Sequence, residues 1–372
     1  MMKKQYSHLV LFLSLCTLTA CNDSKNEDSI DPDPLPPSIT YHVEGYAELG
    51  AFDHNSTLTV FPLDKSLAHI EEQAYGGKVE TDYGLFSASG NMKFQESLYF
   101  EVQVTGNFFN GTKGRRSEHK TTLRAINHVI NHDDEERSIN RYIKLPVTNV
   151  NIFTQLTAAR ICTLLKKAAG YNEMSHTITD IYRNASEQAL KEVLTAFSIS
   201  DIYVSMLSID PTRASFSQYN APASMMAAVS NILLTSVDEE LLDTFFTEWD
   251  KDFAPDGRID NEDIKESIRD GQQSLKYTNV YKQLDSFYKA YDFKSDFPEF
   301  WKFVDRNGDG ILDKQDKPDD FEITEEELTP SKQQCIQLLE QVNKYLRDFL
   351  QTECVWEANF CGAIGPIPDY PT

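Results

Sequence analysis

Thr148-Asn149-Val150-Asn151-Ile152-Phe153-Thr154-Gln155-Leu156 is where the pattern of this chain changes. Before it, apolar residues recur every second position. Ser97-Leu98-Tyr99-Phe100-Glu101-Val102-Gln103-Val104 puts Leu98, Phe100, Val102 and Val104 on one face of a strand. After it, Ile152, Leu156, Ala159, Thr163 and Lys166 fall one helical turn apart, with an N-cap at Asn149 or Asn151 and a stop at Gly170. Strands come first and helices second, so the chain reads as segregated α+β rather than as βαβ units.

Working back from the junction, Thr57–Phe61, Gly84–Ser87, Thr121–Ala125 and Tyr142–Leu145 are further short runs of β-formers. Asp53-His54-Asn55, Gly76-Gly77, Ser89-Gly90-Asn91 and Asn110-Gly111 read as the turns between them. This predicts a β-sandwich over 40–147. Working forward, the spacing predicts helices over 177–197, 222–234, 238–249, 262–270, 279–291, 298–304 and 330–352, in a helical domain over 148–353. Residues 354–372 form a turn-rich tail.

The strand region carries a family likeness. Glu44-Gly45-Tyr46-Ala47-Glu48-Leu49-Gly50-Ala51-Phe52, Ser56-Thr57-Leu58-Thr59-Val60 and Asp82-Tyr83-Gly84-Leu85-Phe86 resemble transthyretin-like, or carboxypeptidase-regulatory-like, β-sandwich modules. Gly106-Asn107-Phe108-Phe109-Asn110-Gly111, the Asn151–Leu156 run with Arg160, and Asn220-Ala221 resemble bacterial surface lipoproteins in which such a module precedes a helical domain. The resemblance implies architecture and no chemistry.

The N-terminus supplies an address. Lys3 and Lys4 precede the apolar run Leu9–Cys16, too short for a span of about 20 residues. Leu18-Thr19-Ala20-Cys21 resembles a lipobox, in which residues 1–20 are removed and Cys21 is lipidated, palmitate included. Residues 21–39 are acidic and Pro-rich, and read as an extended tether able to reach about 50 Å. Asn22 after the lipid cysteine resembles the pattern of outer-membrane lipoproteins, facing the periplasm or the cell surface.

Composition narrows the function. The 372 residues carry Lys+Arg 35 against Asp+Glu 58, a net charge of −23. Nucleic acid is excluded, because binding phosphate needs a basic face. Calcium is favoured. Asp305-Arg306-Asn307-Gly308-Asp309-Gly310-Ile311-Leu312-Asp313-Lys314-Gln315-Asp316 resembles an EF-hand or dockerin-type loop. Asp305, Asn307, Asp309, the Ile311 carbonyl, Asp313 and Asp316 are the candidate ligands, with Gly310 at the sharp turn. Position 12 is Asp316 where a bidentate Glu is usual, which points to weak affinity. The run 252–263 is a degenerate partner, lacking a ligand at Ala254, and Ile259 would pair with Leu312.

Other clusters read as architecture. His128 and His132 share a spacing of four but lack a third ligand, and read as a solvated hairpin. Arg115-Arg116 with Lys113 and Lys120 reads as a solvated loop, and the aromatics of 277–303 read as core at helical spacing. Cys162, Cys335, Cys354 and Cys361 allow three disulfide pairings. The local Cys354–Cys361 bridge is favoured, leaving Cys162 and Cys335 as candidates for a second. No G-x-S-x-G, P-loop or G-x-G-x-x-G is present. The leading expectation is a non-enzymatic binding or adhesion lipoprotein with a protein or glycan partner. A glycan-acting hydrolase with paired carboxylates and a structural subunit of an envelope complex are the alternatives.

Overall fold

The computed structural model describes residues 40–91, 98–129, 142–173, 178–218, 220–292 and 300–319. The expected signal segment, Cys21, the tether, His132, the 330–352 helix, the tail, Cys335, Cys354 and Cys361 lie outside them. Strands come first: β1 (Thr40–Glu48), β2 (Thr57–Leu63), β3 (Tyr75–Val79), β4 (Leu85–Asn91) and β5 (Tyr99–Gly106). They continue with β6 (Phe109–Asn110), β7 (Arg115–Arg116), β8 (Thr121–His128), β9 (Tyr142–Lys144) and β10 (Val150–Asn151). One hydrogen-bonded sheet runs β10-β1-β4-β3-β2-β5-β8, with β9 also on β1, while β6 and β7 form a small ribbon. The pairings are antiparallel except where β9 and β10 return parallel to β1. β10 lies within contact distance of β8, so the sheet curls until its two ends meet.

The curl creates two differently covered faces. Inside it, Val43, Phe86, Val60, Phe100, Val102 and Val104 are fully buried and continuous with helix residues such as Met226 and Leu233. On the outer face, Tyr99 and Ile126 pack under Ala158, Ile161, Leu165, Tyr182 and Ala189. β5 is therefore buried on both sides, and Tyr99, Phe100, Glu101 and Val102 are all inaccessible. The period-two reading supplies only the inner face.

Every strand run the sequence predicts is present. Two expected turns are not turns. Gly76-Gly77 lies within β3 and Ser89-Gly90-Asn91 within β4. At Gly77 the reason is close approach: a Cβ there would lie 2.9 Å from the Ala88 methyl of the paired strand.

Seven α-helices follow among the described residues. They are α1 (Ile152–Lys167), α2 (Ile178–Ala196), α3 (Ile202–Leu207), α4 (Ala221–Ser236), α5 (Leu242–Phe253), α6 (Glu262–Ser274) and α7 (Tyr277–Lys289). Asn151 starts α1 through a capping box with Thr154, and Asn220 caps α4 with Pro222 in its first turn. Ala223 to Leu234 of α4 are buried without interruption, which makes it the central helix. α3 has no counterpart in the sequence reading; at six residues it is too short to show a period. The expected helix over 298–304 is a single 3-10 turn, Phe300–Phe303, in its described part. The aromatic stretch is core, as its spacing predicts: Tyr277, Tyr288 and Phe300 are buried, and Phe287 stacks on Phe109 at 4.1 Å.

Candidate metal centre

The 305–316 loop is wound around its first residue. Asp305 follows the 3-10 turn and is 3% exposed. Its Oδ1 accepts the Gly308 N–H at 2.9 Å and its Oδ2 accepts the Gly310 N–H at 3.0 Å. Gly310 has φ +78°, the left-handed backbone that a Cβ disfavours, and this turns the chain back toward Asp305. Asn307 Oδ1 then accepts from Asp309 N–H, and Asp309 Oδ1 accepts from Ile311 N–H at 2.8 Å. Asn307 and Asp309 thus each order the residue two further on, as Asp313 does for Gln315.

The loop is closed by its last residue. Asp316 is 1% exposed; its Oδ1 accepts from Arg306 and Asn307 N–H, and its Oδ2 accepts from Asp313 N–H. Asp313 caps the 3-10 turn Lys314–Asp316. Asp305 and Asp316 are therefore inside, and Asn307, Asp309, Ile311 and Asp313 form an exposed rim.

The residue types of this loop are those a hard cation takes. A carboxylate has about four lone-pair positions, so Asp305 retains acceptor capacity beyond its two N–H bonds. Calcium takes oxygen ligands of mixed type, and in such a loop Asn307 and the Ile311 carbonyl would supply the neutral ones. Among the described residues, the whole loop included, no three His, Cys, Asp or Glu side chains are gathered so as to hold a metal ion. After the loop, no α-helix begins within the described residues, in keeping with Pro318.

The 252–263 loop joins α5 to α6 and has a different anchor. Asp252 Oδ2 accepts the N–H groups of Asp260 and Asn261, and Asn261 caps α6. Arg160, buried on α1, reaches the carbonyls of Ala254 at 3.2 Å and Pro255 at 2.9 Å. A guanidinium therefore serves the carbonyls near the position that lacks a metal ligand. Ile259 and Leu312 both lean on the main core, and no β-bridge joins them among the described residues.

Charges elsewhere are mostly committed. Glu101 on β5 meets His69 at 3.1 Å and Arg124 at 3.6 Å, and Arg124 also pairs with Asp250 of α5. Burial pushes Asp250 up to about 6, against the pull of Arg124. The neighbouring Cys162 has no disulfide partner among the described residues, and burial pushes its thiol up to about 11. The basic cluster at 113–116 is paired too: Lys113 with Glu239, Arg115 with Glu118 and Arg116 with Asp53.

His128 departs from the solvated hairpin expected of it. It is buried at the end of β8, stacked on Tyr182 at 4.7 Å, with Nδ1 facing Asn127 Oδ1 and Nε2 facing Thr179 Oγ1. Burial pushes it down to about 4, so it is neutral at pH 7. A cavity of about 500 Å³ lies beside it, with Val147, Tyr182 and Ile209 in its walls and Glu187 and Asp210 as its acids. The Glu187 hydrogen bond to Lys191 holds its carboxyl below the ordinary range, so it carries no proton to donate at neutral pH. Asp210 accepts both the N–H and the hydroxyl of Thr212.

Four of the residues quoted for the family resemblance make structural contacts. Asn151 and Asn220 are helix caps, Asn110 Nδ2 donates to Glu239, and Gln155 accepts from the Arg124 backbone. Compared with protein-family models, curated proteins and solved structures, the chain finds no match.

Proposed function

We propose that this protein is a calcium-binding lipoprotein anchored in the outer membrane through Cys21, acting as a non-enzymatic surface binding or adhesion protein. What supports the reading is the hydrogen-bonded frame of the loop, in which Asp305 holds the Gly308 and Gly310 N–H groups, Asn307 that of Asp309, and Asp309 that of Ile311. Asp313 and Asp316 complete the ligand set. Calcium here is structural: an ion bound only by the folded state adds stability by mass action. The curled sheet acts as a transthyretin-like presentation module, held off the bilayer by the 21–39 tether. The committed acids around the His128 cavity favour binding over hydrolysis.

Thermal unfolding tests the metal. At about 10 mM calcium and a Kd of about 10⁻⁴–10⁻³ M, the folded state should gain roughly 1.4–2.7 kcal/mol. Asp305→Ala/Asp309→Ala should remove that gain, and an equal gain in the variant refutes the site. Cys21→Ser should move the protein out of the detergent phase, and unchanged partitioning refutes the anchor.

A further inference from the structure

Two arginines whose side chains make no hydrogen bond or ion pair among the described residues face one cavity on this strongly acidic protein. The cavity, about 310 Å³, lies between the C-terminal end of α2, the α5–α6 loop and one side of α6. Lys265, Ile268, Arg269 and Gln272 line it at i, i+3, i+4 and i+7, so a single helical face supplies both cations and apolar floor. Arg258 enters from the loop, and Ile259 and Ala196 extend the floor.

The charges of the wall do not cancel one another. Its one carboxylate, Glu192, has both oxygens held by Arg160, at 2.7 and 2.9 Å. Lys265 is paired with Glu262 at 2.8 Å, and Glu262, whose field also reaches Arg269, is outside the cavity wall. The side chains of Arg258 and Arg269 make no hydrogen bond or ion pair among the described residues, unlike the arginines at 115, 116, 124, 160, 183 and 213. Asp252, Asp256 and Asp260 of the same loop do not line the cavity.

We infer that this cavity binds a small organic oxyanion, its carboxylate or phosphate head on Arg258 and Arg269 and its apolar body on Ile259 and Ile268. A guanidinium presents a planar fork of donors that matches the oxygens of either head. The floor is apolar, and the volume is at the small end of ligand pockets, so the body is a single ring or its equivalent. The site is separate from the calcium loop of the proposed function and does not depend on it.

Titration calorimetry on the intact protein tests this, with calcium removed on a chelating resin and ionic strength held constant. Phenyl phosphate, benzoate, inorganic phosphate and benzyl alcohol are the probes. At least one aromatic anion should bind about tenfold more tightly than inorganic phosphate, and benzyl alcohol should not bind. Preference for phenyl phosphate assigns a phosphate head, and preference for benzoate a carboxylate head. Arg258→Ala/Arg269→Ala should weaken the preferred anion at least tenfold without lowering the melting temperature of the free protein, because both side chains are exposed and unpaired. Arg258→Lys/Arg269→Lys, a second and milder change, should weaken it less. Absence of heat from both aromatic anions up to about 10 mM, or equal binding in the double alanine variant, overturns the inference.

Discussion

Arg160 on α1 holds Glu192 on α2 through two parallel bonds, Nε to Oε2 at 2.7 Å and Nη2 to Oε1 at 2.9 Å. Its third nitrogen turns to the carbonyls of Ala254 and Pro255. One guanidinium, 5% exposed, thus joins two helices to the loop that links α5 and α6. Removing it leaves Glu192 with the Gln188 amide alone, the Pro255 carbonyl with Lys167 alone, and the Ala254 carbonyl without this donor.

Arg160→Met should therefore destabilise the protein by about 3 kcal/mol, the low end for a broken buried pair, since Glu192 is 20% exposed. Urea unfolding measures the loss. Hydrogen exchange should show the amides of 254–259 opening first, and unchanged protection there would refute the anchoring role. Arg160→Lys keeps the charge but not the fork, and should recover only part of the stability.

Within the calcium loop, Asp316 and Asp309 should behave differently. Asp316 accepts three backbone N–H groups, so Asp316→Ala should cost about 1–3 kcal/mol with or without calcium. Asp309 is exposed and accepts one backbone N–H, from Ile311. Asp309→Ala should leave calcium-free stability within about 0.5 kcal/mol and abolish most of the calcium response. Matched calcium titrations of the two variants, followed by melting temperature, check this.

Two buried groups shape the pH profile in opposite directions. Burial lowers His128 from an ordinary 6.5 to about 4, so between those values the unfolded chain takes up a proton that the folded state refuses. Its contribution is fully present above 6.5 and is lost as pH falls toward 4. Glu48 is fully buried, with Oε2 accepting the Phe216 N–H and the Ser215 side chain nearby. Burial raises it from 4.5 to about 8, so its contribution is present below 4.5 and is lost as pH rises through 8. Glu48→Gln should thus gain on the wild type from pH 5 to pH 8, by an amount on the order of a few kcal/mol. His128→Asn should flatten the acid limb. Stability curves that run parallel for wild type and variants across this range would refute both assignments.

The local features of this chain are legible because their causes lie within a few residues. Asn151 caps α1 from a side chain three positions before Thr154, and Asp305 to Ile311 fold by bonds that span two to five residues. The change of period at Thr148 likewise separates β1–β9 from the helices, but β10 falls beyond it because pairing with β1 holds Val150 and Asn151 in the sheet. What the tertiary structure alone decides is everything whose partner is distant. Gly77 belongs in a strand because the Ala88 methyl sits against it. Glu101 is buried on a face that alternation assigns to solvent, because α1 and α2 cover that side of the sheet and Arg124 reaches across to Asp250, 126 positions on. Arg160 reads as one more helical cation until Glu192 and the 254–255 carbonyls are brought to it. Charge and period are properties of a segment, but the burial of a charge depends on what folds over it.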